Sequence, residues 1–131
     1  MKAKQRFSDE MLAVFRENKG LQIRAGTRPH RFIGIWLVVV SDRVFVRSWS
    51  VKPRGWYQTF LAEPRGTVRI ANREIMVRVV RTRDKRVRDA VDRAYLDKYK
   101  TPGAIKYARD LGSPQSRATT LELRPFAQTS G

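Results

Sequence analysis

Apolar and polar positions in the first 25 residues predict one helix followed by a strand. Ser8 is a typical helix cap, acidic residues follow it, and Phe7 can pack onto Leu12 from outside the helix. Gly20 suits the end of that helix. Residues 21–25 then alternate between apolar and polar, which predicts a short strand.

The middle of the chain predicts two hairpins. Residues 33–40 form a β-branched run that is apolar on both faces, which is typical of a central strand. Ser41-Asp42-Arg43 is the predicted turn, and 44–49 is the returning strand. A second hairpin is predicted over 67–80, with its turn at Asn72-Arg73.

Further helices are predicted after the first hairpin and after the second. Their expected ranges are 56–62, 84–99 and 101–112. Thr101-Pro102 is a cap followed by proline, which is a strong helix start, and the apolar face of that helix would hold Ala104, Tyr107, Ala108 and Leu111. Residues 113–117 are predicted to be a loop that leads into a last strand at 118–124.

This order of elements predicts an α+β fold with one core. Strands joined by short turns imply an antiparallel sheet, and their number favours a small barrel into which the last strand pairs back. An N-terminal helix precedes the barrel, and two helices precede the last strand. We expect one domain over 1–131, with residues 1–6 disordered and 126–131 forming a tail.

Composition limits the chemistry and the compartment. The absence of cysteine excludes thiolate catalysis and cysteine-bound zinc, and it fits a reducing compartment. The first eleven residues do not resemble a secretory signal. The longest apolar run, 35–40, is far shorter than the roughly 20 residues of a membrane helix. We therefore expect a cytoplasmic protein without a membrane partner.

Positive charge is the most unusual property of the chain. Lys and Arg total 28 against 12 acidic residues, for a net charge of +16, which attracts phosphates, nucleic acid or acidic membranes. Asp42 is the only acid between Glu17 and Glu63, so that segment resembles an uncompensated anion site. The bases of 81–100 are interleaved with acids, which is typical of a solvated helix.

Several kinds of site are absent from the sequence. His30 is the only histidine, so a histidine metal site is excluded, and we interpret His30 as a surface residue. No nucleophile triad, dinucleotide loop or phosphate loop is present. Any catalysis would therefore depend on a bound cofactor that the protein positions.

The best candidate site is the segment 46–57. Arginine forks and serine hydroxyls bind phosphate oxygens, and two aromatic rings follow them. With two arginines at the mouth of the adjoining strand, the candidate cofactor-binding residues are Arg28, Arg31, Arg47, Ser48, Lys52, Arg54, Trp56 and Tyr57. Two interpretations of the rings stay open: Trp56 and Tyr57 stack on a planar ligand, or Trp56 and Phe60 pack as core.

The sequence resembles a bacterial family of unknown function, DUF2255, over most of the chain after residue 20. The segments that carry the resemblance are Ile35-Trp36, Val46-Arg47-Ser48, Trp56-Tyr57, 90–95, Lys98-Tyr99 and 120–125. More distantly, Ser48, Trp56-Tyr57 and Ala62-Glu63-Pro64 are similar in order to residues of deazaflavin-dependent nitroreductases.

The distant resemblance implies a split β-barrel that binds flavin mononucleotide (FMN) or deazaflavin, usually as a homodimer with the cofactor at the subunit interface. It also implies that the six candidate phosphate ligands surround the cofactor phosphate, with Trp56 and Tyr57 near the ring. No metal is expected.

Three functions stay open at this point. The first is a flavin- or deazaflavin-binding, reductase-like protein with a basic phosphate pocket. The second is a nucleic-acid-binding domain, since barrels bind single strands through basic grooves and stacked aromatic rings. The third is a non-catalytic interaction protein whose charge serves solubility.

Overall fold

Six strands of the computed structural model form one closed antiparallel barrel, in the order β1-β2-β3-β6-β5-β4. The structure describes residues 6–26, 31–49 and 55–126. The elements in chain order are α1 (Asp9–Glu17), β1 (Gly20–Ala25), β2 (Ile33–Val40), β3 (Arg43–Val46), α2 (Trp56–Ala62), β4 (Arg65–Ile70), β5 (Arg73–Arg81), α3 (Lys85–Lys98), α4 (Ile105–Asp110), α5 (Pro114–Arg117) and β6 (Leu121–Pro125). The predicted α+β split barrel is confirmed.

The cap of α1 is confirmed, but its end differs from the prediction. The Met11 amide donates a hydrogen bond to Ser8 Oγ at 3.2 Å. The Phe7 ring lies 4.9 Å from the Phe15 ring, one helical turn beyond the predicted partner. The side-chain amide of Asn18 donates to the Val14 carbonyl at 2.8 Å, which ends the helix early and leaves Gly20 to begin β1.

Both predicted hairpins are present; the first turn is one residue shorter than predicted, and the second lies one residue earlier than predicted. Ser41 and Asp42 have positive φ angles of 50° and 61°, and Ala71 and Asn72 have φ angles of 49° and 63°. Positive φ at both central residues is the geometry that joins twisted antiparallel strands by two residues. The arginine after each turn therefore starts the next strand.

The last strand closes the barrel between two strands that are distant in sequence. Leu123 of β6 pairs with Val44 of β3 on one side and with Val79 of β5 on the other. Pairing of Gln22 in β1 with Arg69 in β4 closes the opposite side. The prediction that the late strand returns into the barrel is confirmed.

Two hydrophobic clusters lie on opposite faces of β2 and β3. The barrel interior holds one cluster, into which α1 and α2 pack through Phe15 and Phe60. The second lies between the outer face of β2–β3 and the helices α3 and α4, and its buried members are Val38, Phe45, Val91, Tyr95, Tyr99, Ala108 and Leu111. Burial on both faces explains why 33–40 is apolar throughout.

The predictions after Tyr99 were wrong in their boundaries. The Thr101 carbonyl accepts from the amides of Ala104 and Ile105, at 3.0 and 2.9 Å, so Thr101 begins a turn and α4 starts only at Ile105. The predicted loop 113–117 contains α5, because the Ser113 hydroxyl caps it by accepting from the Ser116 amide at 3.3 Å. β6 consequently begins three residues later than predicted.

Gly66 allows α2 to pack against the barrel. Adding one methyl group at this position should therefore destabilise the fold. A Cβ at residue 66 would lie 2.5 Å from the Arg24 carbonyl oxygen and 2.6 Å from Phe60 Cζ. We expect Gly66→Ala to lower the free energy of unfolding by about 2 kcal/mol, as overpacked cores do. A Cβ at Gly34, in contrast, would meet no heavy atom within 4 Å. Urea unfolding should leave Gly34→Ala within about 1 kcal/mol of the parent protein, and equal losses in both variants would contradict this interpretation.

Candidate functional site

Arg47, one of the predicted cofactor ligands, is turned into the protein and is only 1% exposed. Its Nε donates to Thr120 Oγ1 at 2.8 Å, Nη1 donates to the Leu111 carbonyl at 2.9 Å, and Nη2 donates to the Arg88 carbonyl at 3.0 Å. Nη1 also forms an ion pair with the Asp92 carboxylate. Every nitrogen of this guanidinium is therefore bound within the chain.

Asp92 connects Arg47 to a small ionic network at the protein surface. Its second carboxylate oxygen pairs with Arg117, which also pairs with Asp89 at 2.9 Å. Burial lowers the pKa of Arg47, while the Asp92 carboxylate opposes that shift. Because an arginine pKa lies far above neutrality, Arg47 keeps its charge. The network fastens α3 and α5 to the end of β3.

The predicted aromatic pair is part of the barrel core. Tyr57 is 5% exposed, and its hydroxyl donates to the Ala118 carbonyl at 3.3 Å. The half-buried Trp56 stands edge-on to Tyr57 and Phe60, with ring centroids 6.5 and 6.0 Å apart. These contacts favour the second interpretation, in which the rings pack as part of the core.

The remaining predicted site residues fall into two groups. Ser48 is buried, and its amide donates to Thr119 Oγ1 at 2.8 Å, whereas Arg31 is exposed. Arg28, Lys52 and Arg54 lie outside the described residues, as does His30. The described members thus divide between interior and surface, and the phosphate pocket as a whole stays a prediction.

An open trough, which was not predicted from the sequence, crosses the outside of the barrel. It has a volume of about 730 Å³. Its floor is formed where Gly20 pairs with Trp36 and Gln22 pairs with Gly34, across β1 and β2. The two glycines present no side chain, so a ligand can approach the backbone there.

The two walls of the trough differ in chemistry. One wall is made by the indoles of Trp36 and Trp49, and the other by Arg69, Arg73 and the turn between β4 and β5. Arg69 pairs with Glu74 at 2.9 Å, and Arg73 pairs with Glu10 at 3.0 Å. Both ion pairs are largely exposed, so a phosphate can compete for these guanidinium groups at little cost.

The indole wall is held by a stack of aromatic rings on the outside of β2. Trp36 stacks on Tyr99 with ring centroids 4.0 Å apart and an interplanar angle of 5°. The Tyr99 hydroxyl accepts from the Leu37 amide at 3.1 Å and faces the carbonyl oxygens of Leu37 and Lys19. This stack fixes Trp36 against α3.

Trp49 and Tyr107 complete the aromatic group and remain partly in solvent. Each ring stands nearly perpendicular to Trp36, at 73° and 85°. The prediction that Tyr107 shares the buried face of α4 was wrong, because Tyr107 is 47% exposed while Ala108 and Leu111 are buried. Side chains alternate between the two faces of a strand, and Trp36 lies between the inward-facing Ile35 and Leu37. The sequence could therefore have placed the Trp36 ring outside the barrel.

No group of histidine and acidic side chains within 6–26, 31–49 and 55–126 could hold a metal ion. Within the same ranges, no helix has the length and apolar character needed to cross a membrane.

Comparison with known sequences identifies one family. The family model described as an uncharacterized protein conserved in bacteria (DUF2255) matches residues 11–123. Among curated proteins, none matches the sequence significantly.

Solved structures share the fold at low sequence identity. A conserved hypothetical protein from Mycobacterium tuberculosis is 12% identical with a TM-score of 0.59, over 98% of this chain and 87% of that one. A putative pyridoxamine 5'-phosphate oxidase from Listeria innocua is 10% identical with a TM-score of 0.58, over 92% and 93%. An FAD-binding protein from Mesorhizobium loti is 14% identical with a TM-score of 0.51, over 98% and 95%.

The contacts of Arg47 predict that a lysine cannot replace it. Arg47→Lys keeps the charge but offers one nitrogen in place of three, which leaves buried acceptors without donors. We expect the free energy of unfolding in urea to fall by about 3 kcal/mol. The exposed Arg31→Lys should stay within about 0.5 kcal/mol of the parent protein. A similarly small loss in Arg47→Lys would contradict the structural role.

Lys98, beside the aromatic stack, predicts a pH dependence of stability. Its ammonium donates to the Phe15 carbonyl at 3.1 Å, and burial lowers the pKa of Lys98 from 10.5 to about 8. Between these two values the unfolded chain binds the proton more tightly than the folded chain, so the contribution of Lys98 to stability rises with pH. In urea unfolding, the parent protein should therefore gain stability relative to Lys98→Met between about pH 8 and 10. A difference that stays constant with pH would refute the lowered pKa.

Proposed function

The chain belongs to the DUF2255 family, and from that premise we propose that it binds a planar, phosphate-bearing cofactor of the flavin or deazaflavin class. The observation that carries the proposal is the open trough, which combines a glycine floor, an indole wall and a guanidinium rim. A volume of about 730 Å³ lies within the usual range of cofactor pockets.

Each part of the trough matches one part of such a cofactor. The tricyclic ring lies against Trp36 or Trp49, since aromatic rings attract one another in stacked and edge-on arrangements. Gly20 and Gly34 let the ring approach the strands closely. Arg69 and Arg73 bind the phosphate through their forked donors. Lys52 and Arg54, which follow Trp49 in the chain, stay predicted phosphate ligands together with Arg28 and Arg31.

The fold supports this proposal by likeness. The similar barrels include a protein described as FAD-binding and another described as a putative pyridoxamine 5'-phosphate oxidase. When bound, a flavin or deazaflavin supplies hydride transfer, while the protein supplies binding, orientation and electrostatics. A reductase-like activity is therefore the enzymatic form of the proposal, and its substrate is left open.

A homodimer is part of the same proposal. The trough is open to solvent along the barrel, and a second copy of the chain would cover a cofactor lying in it. Trp49, which lines the trough, is an apolar residue that is 40% exposed. Light scattering during gel filtration measures the molar mass, which distinguishes a monomer from a homodimer.

Nucleic acid is the second candidate, because exposed rings lie beside guanidinium groups. Trp49 offers a face for a base, and Arg69 and Arg73 offer phosphate contacts, which is how basic grooves hold single strands. A single strand bound in this way should lose affinity steeply with added salt. A weak and salt-independent response would exclude it.

Cofactor titration against glycine variants tests the main proposal. FMN and a deazaflavin cofactor are each titrated into purified protein, and their fluorescence and retention on gel filtration are measured. Gly34→Val adds a branched side chain to the floor of the trough in a strand, where such residues are tolerated. We expect it to weaken cofactor binding at least about ten-fold, while Gly34→Ala keeps most of the affinity.

Three outcomes would contradict this proposal. The first is that neither cofactor is retained at micromolar concentration. The second is binding that is unchanged in Gly34→Val, which would place the cofactor elsewhere. The third is an equal loss of affinity in Gly34→Val and Gly34→Ala while both variants keep the folded circular-dichroism spectrum.

A further inference from the structure

We propose that Trp36, Trp49, Tyr107 and Asp110 form a binding pocket for an organic cation that carries a quaternary ammonium group. These four residues line a pocket of about 450 Å³ at the outer side of β2 and α4. This aromatic pocket is separate from the floor and the arginine wall of the trough, and it shares only the two tryptophans with it.

The three rings form a corner. The centroids of Trp49 and Tyr107 lie 5.4 and 6.4 Å from that of Trp36, and both rings are nearly perpendicular to it. Perpendicular rings can present their negatively charged faces to one enclosed group from several directions. This is the arrangement that binds quaternary ammonium ligands through cation–π attraction.

Two of the three rings, those of Trp36 and Tyr107, are held by the fold without a ligand. Tyr99 supports Trp36 through the parallel stack, and its hydroxyl is hydrogen-bonded to the backbone of β2. Tyr107 projects from α4, whose buried residues Ala108 and Leu111 pack into the second hydrophobic cluster. The walls formed by Trp36 and Tyr107 are therefore preorganised, and binding needs to order only the Trp49 ring.

Charge selects the class of ligand. The protein carries a net charge of +16, yet the only ionisable side chain of opposite sign in the pocket lining is Asp110. Asp110 is exposed and forms no ion pair with any residue that the structure describes. A carboxylate beside aromatic faces favours a cation and repels a phosphate, which gives this pocket the opposite preference to that of the trough.

One contact already places an ammonium group close to one of these rings. The Lys106 ammonium lies 5.4 Å from the centroid of the Tyr107 ring. Lys106 has a flexible, strongly hydrated side chain that can swing into solvent. A quaternary ammonium group is less hydrated and has no hydrogen-bond donor, so it gains more from the aromatic faces than a lysine does.

Choline and its neutral isostere 3,3-dimethylbutan-1-ol test the proposal directly. The two molecules have nearly the same shape, and only choline is charged. Each is titrated into cofactor-free protein at low salt, with tryptophan fluorescence and calorimetry as readouts. We expect choline to bind at least about ten-fold more tightly than the neutral alcohol. Equal affinities, or no binding of choline up to tens of millimolar, would overturn the proposal.

Variants locate the site. Tyr107→Leu removes an aromatic face and should abolish most choline binding, whereas Tyr107→Phe keeps the face and should keep the binding. Asp110→Asn should weaken choline several-fold. The matched control is Asp42→Asn, which removes the same charge in a turn whose positive φ asparagine tolerates.

The results separate this site from the proposed cofactor site. Choline binding that survives in Tyr107→Leu, or that falls equally in Asp42→Asn and Asp110→Asn, would refute the aromatic pocket. Because the titrations contain no flavin, they test the aromatic pocket alone. The cofactor titrations with Gly34→Val test the trough alone, and either proposal can fail without the other.

Discussion

The buried guanidinium of Arg47 is the contact on which the arrangement of the helical layer depends. A charge in the interior is tolerated only when it is paired and fully hydrogen-bonded. The acceptors around Arg47 come from α3, from the residue that ends α4, and from Thr120 just before β6. One side chain at the end of β3 therefore fixes the position of the whole connection between β5 and β6.

That connection in turn determines what the outer face of β2 can do. With α3 held against the barrel, Tyr99 at the end of the helix stacks on Trp36 and bonds to the strand backbone. α4 then brings Tyr107 to the same place. The aromatic group outside the barrel thus depends on an ionic contact between the barrel and the helical layer. Arg47, which the sequence suggested as a cofactor ligand, instead holds in place the helices beside the neighbouring sites.

Local signals in the sequence were enough to predict most elements of this fold. Ser8 marks a helix start through a side-chain cap that needs no tertiary context, and the two-sided apolar run 33–40 indicated a strand covered on both faces. The helix start predicted at Thr101-Pro102 was wrong, because the Thr101 carbonyl accepts hydrogen bonds within a turn. Ser113-Pro114 is likewise a cap followed by proline, but the helix that it starts, α5, was not predicted because it has only four residues.

The candidate sites were harder to predict, because they depend on register and not on local pattern. The glycine floor exists only because Gly20 faces Trp36 across two strands, and that pairing cannot be derived from either segment alone. Likewise, charge density in the sequence pointed to the segment around Arg47, but density does not show which cations are turned inward. An arginine that follows an apolar residue, as Arg47 follows Val46, can face either inward or outward until its acceptors are known.

The two surface sites are physically linked, because Trp36 and Trp49 form a wall of both. Trp36 is held by the Tyr99 stack, so the ring free to adjust is Trp49, which is 40% exposed. A ligand that fixes the Trp49 indole from one side also fixes the surface available on the other side. By thermodynamic linkage, any change that occupancy of the trough makes in the affinity of the aromatic pocket must act equally in the reverse direction. In the two proposed sites, opposite charge preferences would keep the ligands distinct, and the shared indole would couple their binding.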